Sequence, residues 1–161
     1  MVKKKYLGSV VLGVNDGLVE LTGALAGLTL ALRETKLIAM VGLITGIAAS
    51  MSMAASEYLS TEAEDSGRKP KKAAVYTGLA YILVVIILIS PYLILEDVFS
   101  ALALTVVCAI IIIAIISRKT SRINKVPYKS RFIEMIFISM GIAAISFGIG
   151  YGIRILFGID A

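Results

Sequence analysis

Asn15, Asp16 and Glu20 sit in the segment SVVLGVNDGLVE, inside an apolar, glycine-rich run long enough to cross a membrane. Ionisable groups at such depth are rare and mark ion or proton pathways. Asp16 and Glu20 are four residues apart, so they share one helix face, in line with Ser9, Gly13, Gly23, Ala24 and Gly27. An aspartate turned to lipid at the bilayer centre costs about 2.5–3.5 kcal/mol on the insertion scale. That face must therefore meet protein, water or a bound cation.

A second set of donors lies in the next apolar stretch, which runs the opposite way. Counted inward from the cytoplasmic ends, Met53 falls at a depth similar to that of Asp16. Met53, Glu57 and Glu64 share one face, with Ser60 close by, and form a stripe from mid-membrane toward the cytoplasm. A thioether beside carboxylates suits late first-row divalent ions or Cu(I) better than sodium or calcium. The competing reading of Met51 and Met53 is ordinary core filling. The chain has no histidine, so any metal must be held by carboxylates, thioethers, hydroxyls and carbonyls. The single cysteine, Cys108, is read as a packing residue, with no disulfide in the fold.

The elements that position these groups follow from composition. Hydrophobic residues make up 58% of the chain, more than a water-soluble fold could hide. Apolar stretches cover 6–32, 37–58, 73–95, 98–117 and 132–157, each at or near the length a helix needs to span hydrocarbon. These predict an all-α integral membrane protein: one domain over 1–161, five transmembrane helices, and no soluble appendage. Thirteen of the 16 Lys and Arg residues fall at one set of helix ends; only Arg33, Lys36 and Arg154 fall at the other. The positive-inside rule then puts the N-terminus in the cytoplasm and the C-terminus outside. The net charge of +5 thus reports topology and not a nucleic-acid partner. Acids within the first stretch, and no small-residue cleavage site, argue against a signal peptide.

Small residues mark where helices approach. Gly13 and Gly17, Gly23 and Gly27, and Gly42 and Gly46 are each four apart, a spacing that lets helix backbones meet closely. A similar ridge of Ala144, Gly148 and Gly152 predicts that the fifth helix packs on the first two. The Ile-, Leu- and Val-rich third and fourth stretches suit a lipid-facing or supporting role, without chemistry. No nucleophile has a matching base and no glycine loop would cradle a cofactor, so the chain reads as neither an enzyme nor the holder of a permanent cofactor.

VLGVNDGLVE in the first helix, followed by SMAASEYLS near the end of the second, resembles the vacuolar iron transporter family. The resemblance implies a five-helix protomer in a homodimer. A divalent-metal path would lie between the two first helices, exchanging iron(II), with manganese(II) as a second cargo, against protons. It further implies that Asp16 and Met53 line this path and that Glu57 is the glutamate of the second motif, although Ser56 stands where the family often has glycine. Glu20 is not carried over from the family and rests on spacing alone. Plant members carry a cytoplasmic metal-binding domain between helices two and three, whereas only 59–72 separates them here. Glu62, Glu64 and Asp65 are then either a minimal cation-collecting patch at the cytoplasmic mouth or a solvated acidic cap. The short connector points to a prokaryotic cell membrane, with export as the direction; a eukaryotic protein would belong to the vacuolar membrane.

Asp16 offsets half the charge of a divalent ion, and a two-fold axis beside the first helix would supply the other half. The expected site is Asp16 and Met53 from both protomers, completed by water and Glu20. Two acids so close in low dielectric do not both ionise, so metal arrival would expel a proton and couple the two movements. The alternatives are a non-transporting membrane subunit with Asp16 and Glu20 as polar glue, and a carrier of another divalent or organic cation.

Overall fold

A computed structural model describes residues 4–64 and 67–158. Lys3 and Asp65, used above for topology and for cation collection, lie outside the described residues. A single 3-10 turn, Lys4–Tyr6, leads into five α-helices: α1 (Leu7–Leu32), α2 (Thr35–Ala63), α3 (Pro70–Ile94), α4 (Val98–Asn124) and α5 (Tyr128–Leu156). No strand occurs among the described residues.

Local chemistry sets the helix ends. Arg33 takes a left-handed conformation (φ 50°) that stops α1, and Glu34 is extended and starts α2, so two residues reverse the chain. Pro70 opens α3, where its missing N–H would have had no partner anyway. Pro91 lies in the last turn of that helix, and Leu95 N–H donates to its carbonyl at 2.9 Å. Asp97 caps α4 by accepting from Ser100 N–H at 2.7 Å, and the hydrogen bonds from Ser100 hold its carboxyl below the ordinary range. Lys125, with φ 55°, ends α4 as Arg33 ends α1.

Several helices outrun the apolar stretches that announced them: α2 continues to Ala63, α4 to Asn124, and α5 begins at Tyr128. Hydropathy falls where the chain leaves hydrocarbon, but a helix whose backbone bonds are already formed carries on through polar residues into water. All five helices are long and apolar enough to cross a membrane. Large apolar side chains such as Ile44, Met51, Leu83, Phe137 and Ile145 point outward, as lipid contact requires.

Helix α1 is the hub and packs on each of the other four. Its Leu18, Leu21 and Leu25 meet Ile38 of α2, Tyr81, Val84, Leu88 and Ile89 of α3, and Ile113 of α4 in one buried core. The helices run up and down, so that most of the Lys and Arg residues gather where α2 gives way to α3 and α4 to α5, here termed the basic end.

Each glycine pair has its own partner. A Cβ on Gly13 would overlap the Thr77 carbonyl oxygen, and one on Gly17 would lie 3.4 Å from Tyr81 Cγ, so this pair seats α3 on α1. Gly23 and Gly27 admit α5, at 2.9 Å from Ile142 Cγ2 and from the Ser146 carbonyl oxygen respectively. Gly42 and Gly46 admit Ile89 and Val85 of α3.

One expectation changes. The fifth helix packs on α1 and α4, and it does so through Ser139, Ala143 and Gly150, which are buried. Ala144 and Gly148 are exposed, and a Cβ on Gly148 or Gly152 would meet nothing within 4 Å. Helix α5 carries small residues in two registers, and only the complementary surface of α1 chooses between them. Helix α3 takes the supporting role: it lies against α1, α2 and α4, and two of its polar side chains bond α1.

Candidate functional site

One face of α1 is left open by its neighbours. Along it Leu12 is exposed, Asp16 half-buried and Glu20 exposed, while Gly13, Val14, Gly17 and Leu18 are buried against the bundle. Helix α3 supports this face from behind. Thr77 donates to the Ser9 carbonyl at 3.0 Å, and one turn later the Tyr81 hydroxyl donates to Glu20 Oε2 at 2.7 Å. Beyond Glu20, away from the basic end, α1, α2 and α5 enclose a groove of about 400 Å³. Glu20, Tyr81, Thr45 and Ser146 are its polar lining, among small residues such as Gly23, Gly27 and Gly46. Asp16 lies one helical turn from Glu20 on the basic-end side.

The register of α2 against α1 is set by Ser9 meeting Glu57 and by Gly42 meeting Leu25. Asp16 is accordingly level with about residue 50, and Met53 sits about 4–5 Å nearer the basic end at 1.5 Å per residue. The two share a membrane depth to within one turn. Met53 is half-buried and packs against the apolar core, whereas Met51 is 68% exposed. Beside Asp16, the Asn15 Oδ1 atom is buried without a hydrogen-bond partner.

The acids of the α2 stripe have found partners inside the protomer. Glu57 is buried, and its Oε1 accepts from the Ser9 hydroxyl at 2.7 Å and from Arg68 at 3.0 Å. The same guanidinium reaches Glu64 Oε2 at 2.7 Å, so Arg68 bridges a buried and an exposed carboxylate. Its favourable contacts with Glu64 and Glu57 raise the affinity of the guanidinium for its proton further. Glu62 is exposed, within 3.3 Å of the Tyr58 hydroxyl. The connector is tied down beside this cluster, where the Tyr6 hydroxyl accepts from Lys69 N–H at 3.1 Å.

Of the residues singled out by spacing, the fold keeps Asp16 and Glu20 together on the open face and places Met53 nearby in depth. Glu57 and Glu64 meet at Arg68 toward the basic end, and Glu62 lies exposed beside Tyr58. Among the described residues no three Asp, Glu or Cys side chains converge as a metal-holding group. One protomer therefore offers an ion a pair of carboxylates along a face and not a closed cage.

The sequence model of the VIT family matches residues 7–68 and 63–151. The chain belongs to the vacuolar iron transporter (VIT) family. Comparison with the curated proteins found no match. Family membership, together with five membrane-length apolar helices, makes this VIT protein a multi-pass membrane metal transporter.

Two neighbours of the candidate residues in this VIT protein were not legible in the sequence. Tyr81 sits in YILVVIIL, where it looks like an ordinary aromatic among lipid-facing residues; only its parallel packing on Gly17 brings its hydroxyl to Glu20. Arg68 is eleven residues from Glu57 across a reversal of the chain, a separation at which no helical periodicity applies. The one available signal was that a buried glutamate requires a cation, and the α2–α3 connector is basic.

Proposed function

We propose that this protein exports iron(II), and also manganese(II), from the cytosol in exchange for protons, working as a homodimer with its basic end in the cytoplasm. The observation that carries the reading is Asp16: a half-buried carboxylate at mid-span, on the one face of α1 that no helix of its own protomer covers. A second copy related by a two-fold axis beside that face would bring a second Asp16 to the first and supply the charge a divalent ion needs. Met53, one turn nearer the basic end, would add a soft donor that favours iron(II) over calcium or magnesium. Asp16 and Glu20 exchange protons with the arriving ion, because binding requires ionised carboxylates and releases whatever protons they hold. The membrane is the prokaryotic cell membrane, consistent with the short connector between α2 and α3.

Glu57 enters this reading with a qualification drawn from its partners. With Arg68 and Ser9 on the same oxygen, its charge is already matched. It serves an ion on its way to Asp16 only after Arg68 has moved to Glu64 alone.

The test uses purified protein in liposomes that enclose a pH-sensitive dye, with iron(II) or manganese(II) added outside. Metal-dependent proton movement in the native chain, lost in Asp16→Asn, is the expected result. Proton movement of native size in the Asp16→Asn protein would remove Asp16 from the path. No movement with any divalent ion in the native chain would leave the acids as packing groups.

A further inference from the structure

Glu20 is exposed at membrane depth, yet it is not left to move freely. The Tyr81 hydroxyl donates to its Oε2 at 2.7 Å. Tyr81 itself is immobile: it is fully buried, and its ring lies over Gly17, where a Cβ would come within 3.4 Å of both Tyr81 Cγ and Val84 Cβ. One turn earlier on the same face of α3, the bond from Thr77 to the Ser9 carbonyl pins the helix to α1. A rigid donor thus fixes one oxygen of Glu20, a residue that lines the groove between α1, α2 and α5.

We propose that Tyr81 is a positioning residue that holds Glu20 as a second cation-binding carboxylate, one turn beyond Asp16 on the side away from the basic end. The inference rests on the transporter reading and adds to it a residue of α3. A free glutamate has three torsions to order when an ion arrives, and that loss opposes binding. Tyr81 removes much of this cost in advance, as preorganised sites do. It also supplies a hydrogen bond to the charged form of the carboxylate, the form that a cation needs. The groove beyond Glu20 is mostly apolar, so this carboxylate is the last charged group on the open face of α1 in that direction.

Another buried tyrosine provides the control. Tyr92, on the same helix, is equally inaccessible, but its hydroxyl meets the Thr29 hydroxyl at 2.6 Å and no carboxylate. Replacing either tyrosine by phenylalanine removes one side-chain hydrogen bond and keeps the ring.

The experiment measures initial rates of manganese(II) flux against manganese(II) concentration in liposomes for the native chain, Tyr81→Phe, Glu20→Gln, the double variant and Tyr92→Phe. Loss of a hydrogen bond to a charged group is expected to raise KM in Tyr81→Phe by about tenfold, with a smaller change in kcat. Adding Tyr81→Phe to Glu20→Gln is expected to change nothing further, and Tyr92→Phe to keep the native KM. A native KM in folded Tyr81→Phe or in Glu20→Gln would overturn the inference. So would an equal effect of Tyr81→Phe with and without Glu20, which would make Tyr81 a packing residue. Absence of flux in the native chain would overturn the transporter reading as well.

Discussion

Arg68 places a guanidinium nitrogen 3.0 Å from Glu57 Oε1, across the turn that joins α2 to α3. Glu57 is 6% exposed, so its charge is withdrawn from water and its partners decide whether it is tolerated. The Ser9 hydroxyl shares the same oxygen, which ties the start of α1, the end of α2 and the connector into one polar knot.

Arg68→Gln is expected to destabilise the protein by about 2 kcal/mol, the usual cost of losing a hydrogen bond to a buried charge. Glu57→Gln in the same chain should restore much of that loss, because no unpaired charge then remains. Thermal unfolding of the four proteins in detergent measures the coupling. If the two single substitutions add without interaction, the ion pair is incidental.

Met53→Leu nearly conserves volume, so its stability should stay within about 1.5 kcal/mol of native. Loss of the sulfur is expected to weaken manganese(II) binding about tenfold, at the low end for removing a partner from a metal site. Titration of manganese(II) into the purified protein, followed by its paramagnetic signal, reports the change. An unchanged affinity would return Met53 to the core against which it packs.

Gly13→Ala and Gly148→Ala make the same chemical change in two different settings. The first drives a methyl group into the Thr77 carbonyl, and the second places one in open space. Gly13→Ala should cost about 1–3 kcal/mol through overpacking, whereas Gly148→Ala should stay within about 0.5 kcal/mol. Midpoints of thermal unfolding in detergent compare them. Equal midpoints would mean that α1 and α3 can separate without penalty.

The cap on α4 predicts a dependence on pH. Hydrogen bonds from Ser100 hold the Asp97 carboxyl below its ordinary range in the folded state. The stability that Asp97 adds is therefore fully present above the ordinary carboxylate range, and it is lost as pH falls through the lowered folded value. Asp97→Ala should lower the unfolding midpoint at neutral pH, and the gap from native should close in strong acid. A gap that persists at low pH would assign the effect to something other than the ionised cap.

What was legible in the sequence was whatever stood out against its surroundings. Asp16 and Glu20 are conspicuous because acids are costly in an apolar run, and the five helices because hydrocarbon thickness sets their length. The glycine pairs announced close approach but not the partner, since a residue without a side chain says nothing about what fills the space above it. In α5 two small-residue registers competed: Gly150, not Gly148, meets α1, and Ala143 is buried where Ala144 is exposed. Tyr81 and Arg68 act on residues 61 and 11 positions away, and only the folded arrangement of helices brings them there.

Helix α1 carries the acids on one face while its other faces support every other helix of the bundle. Its two kinds of position alternate within a single turn, so adjacent substitutions should fail in different ways. Changes at Gly13, Gly17 or Leu18 will deplete the protein from the membrane, and changes at Asp16 or Glu20 will leave it abundant but impaired. A saturation library over this one helix, scored for both abundance and metal tolerance, would therefore separate into two phenotypes with the periodicity of the helix itself.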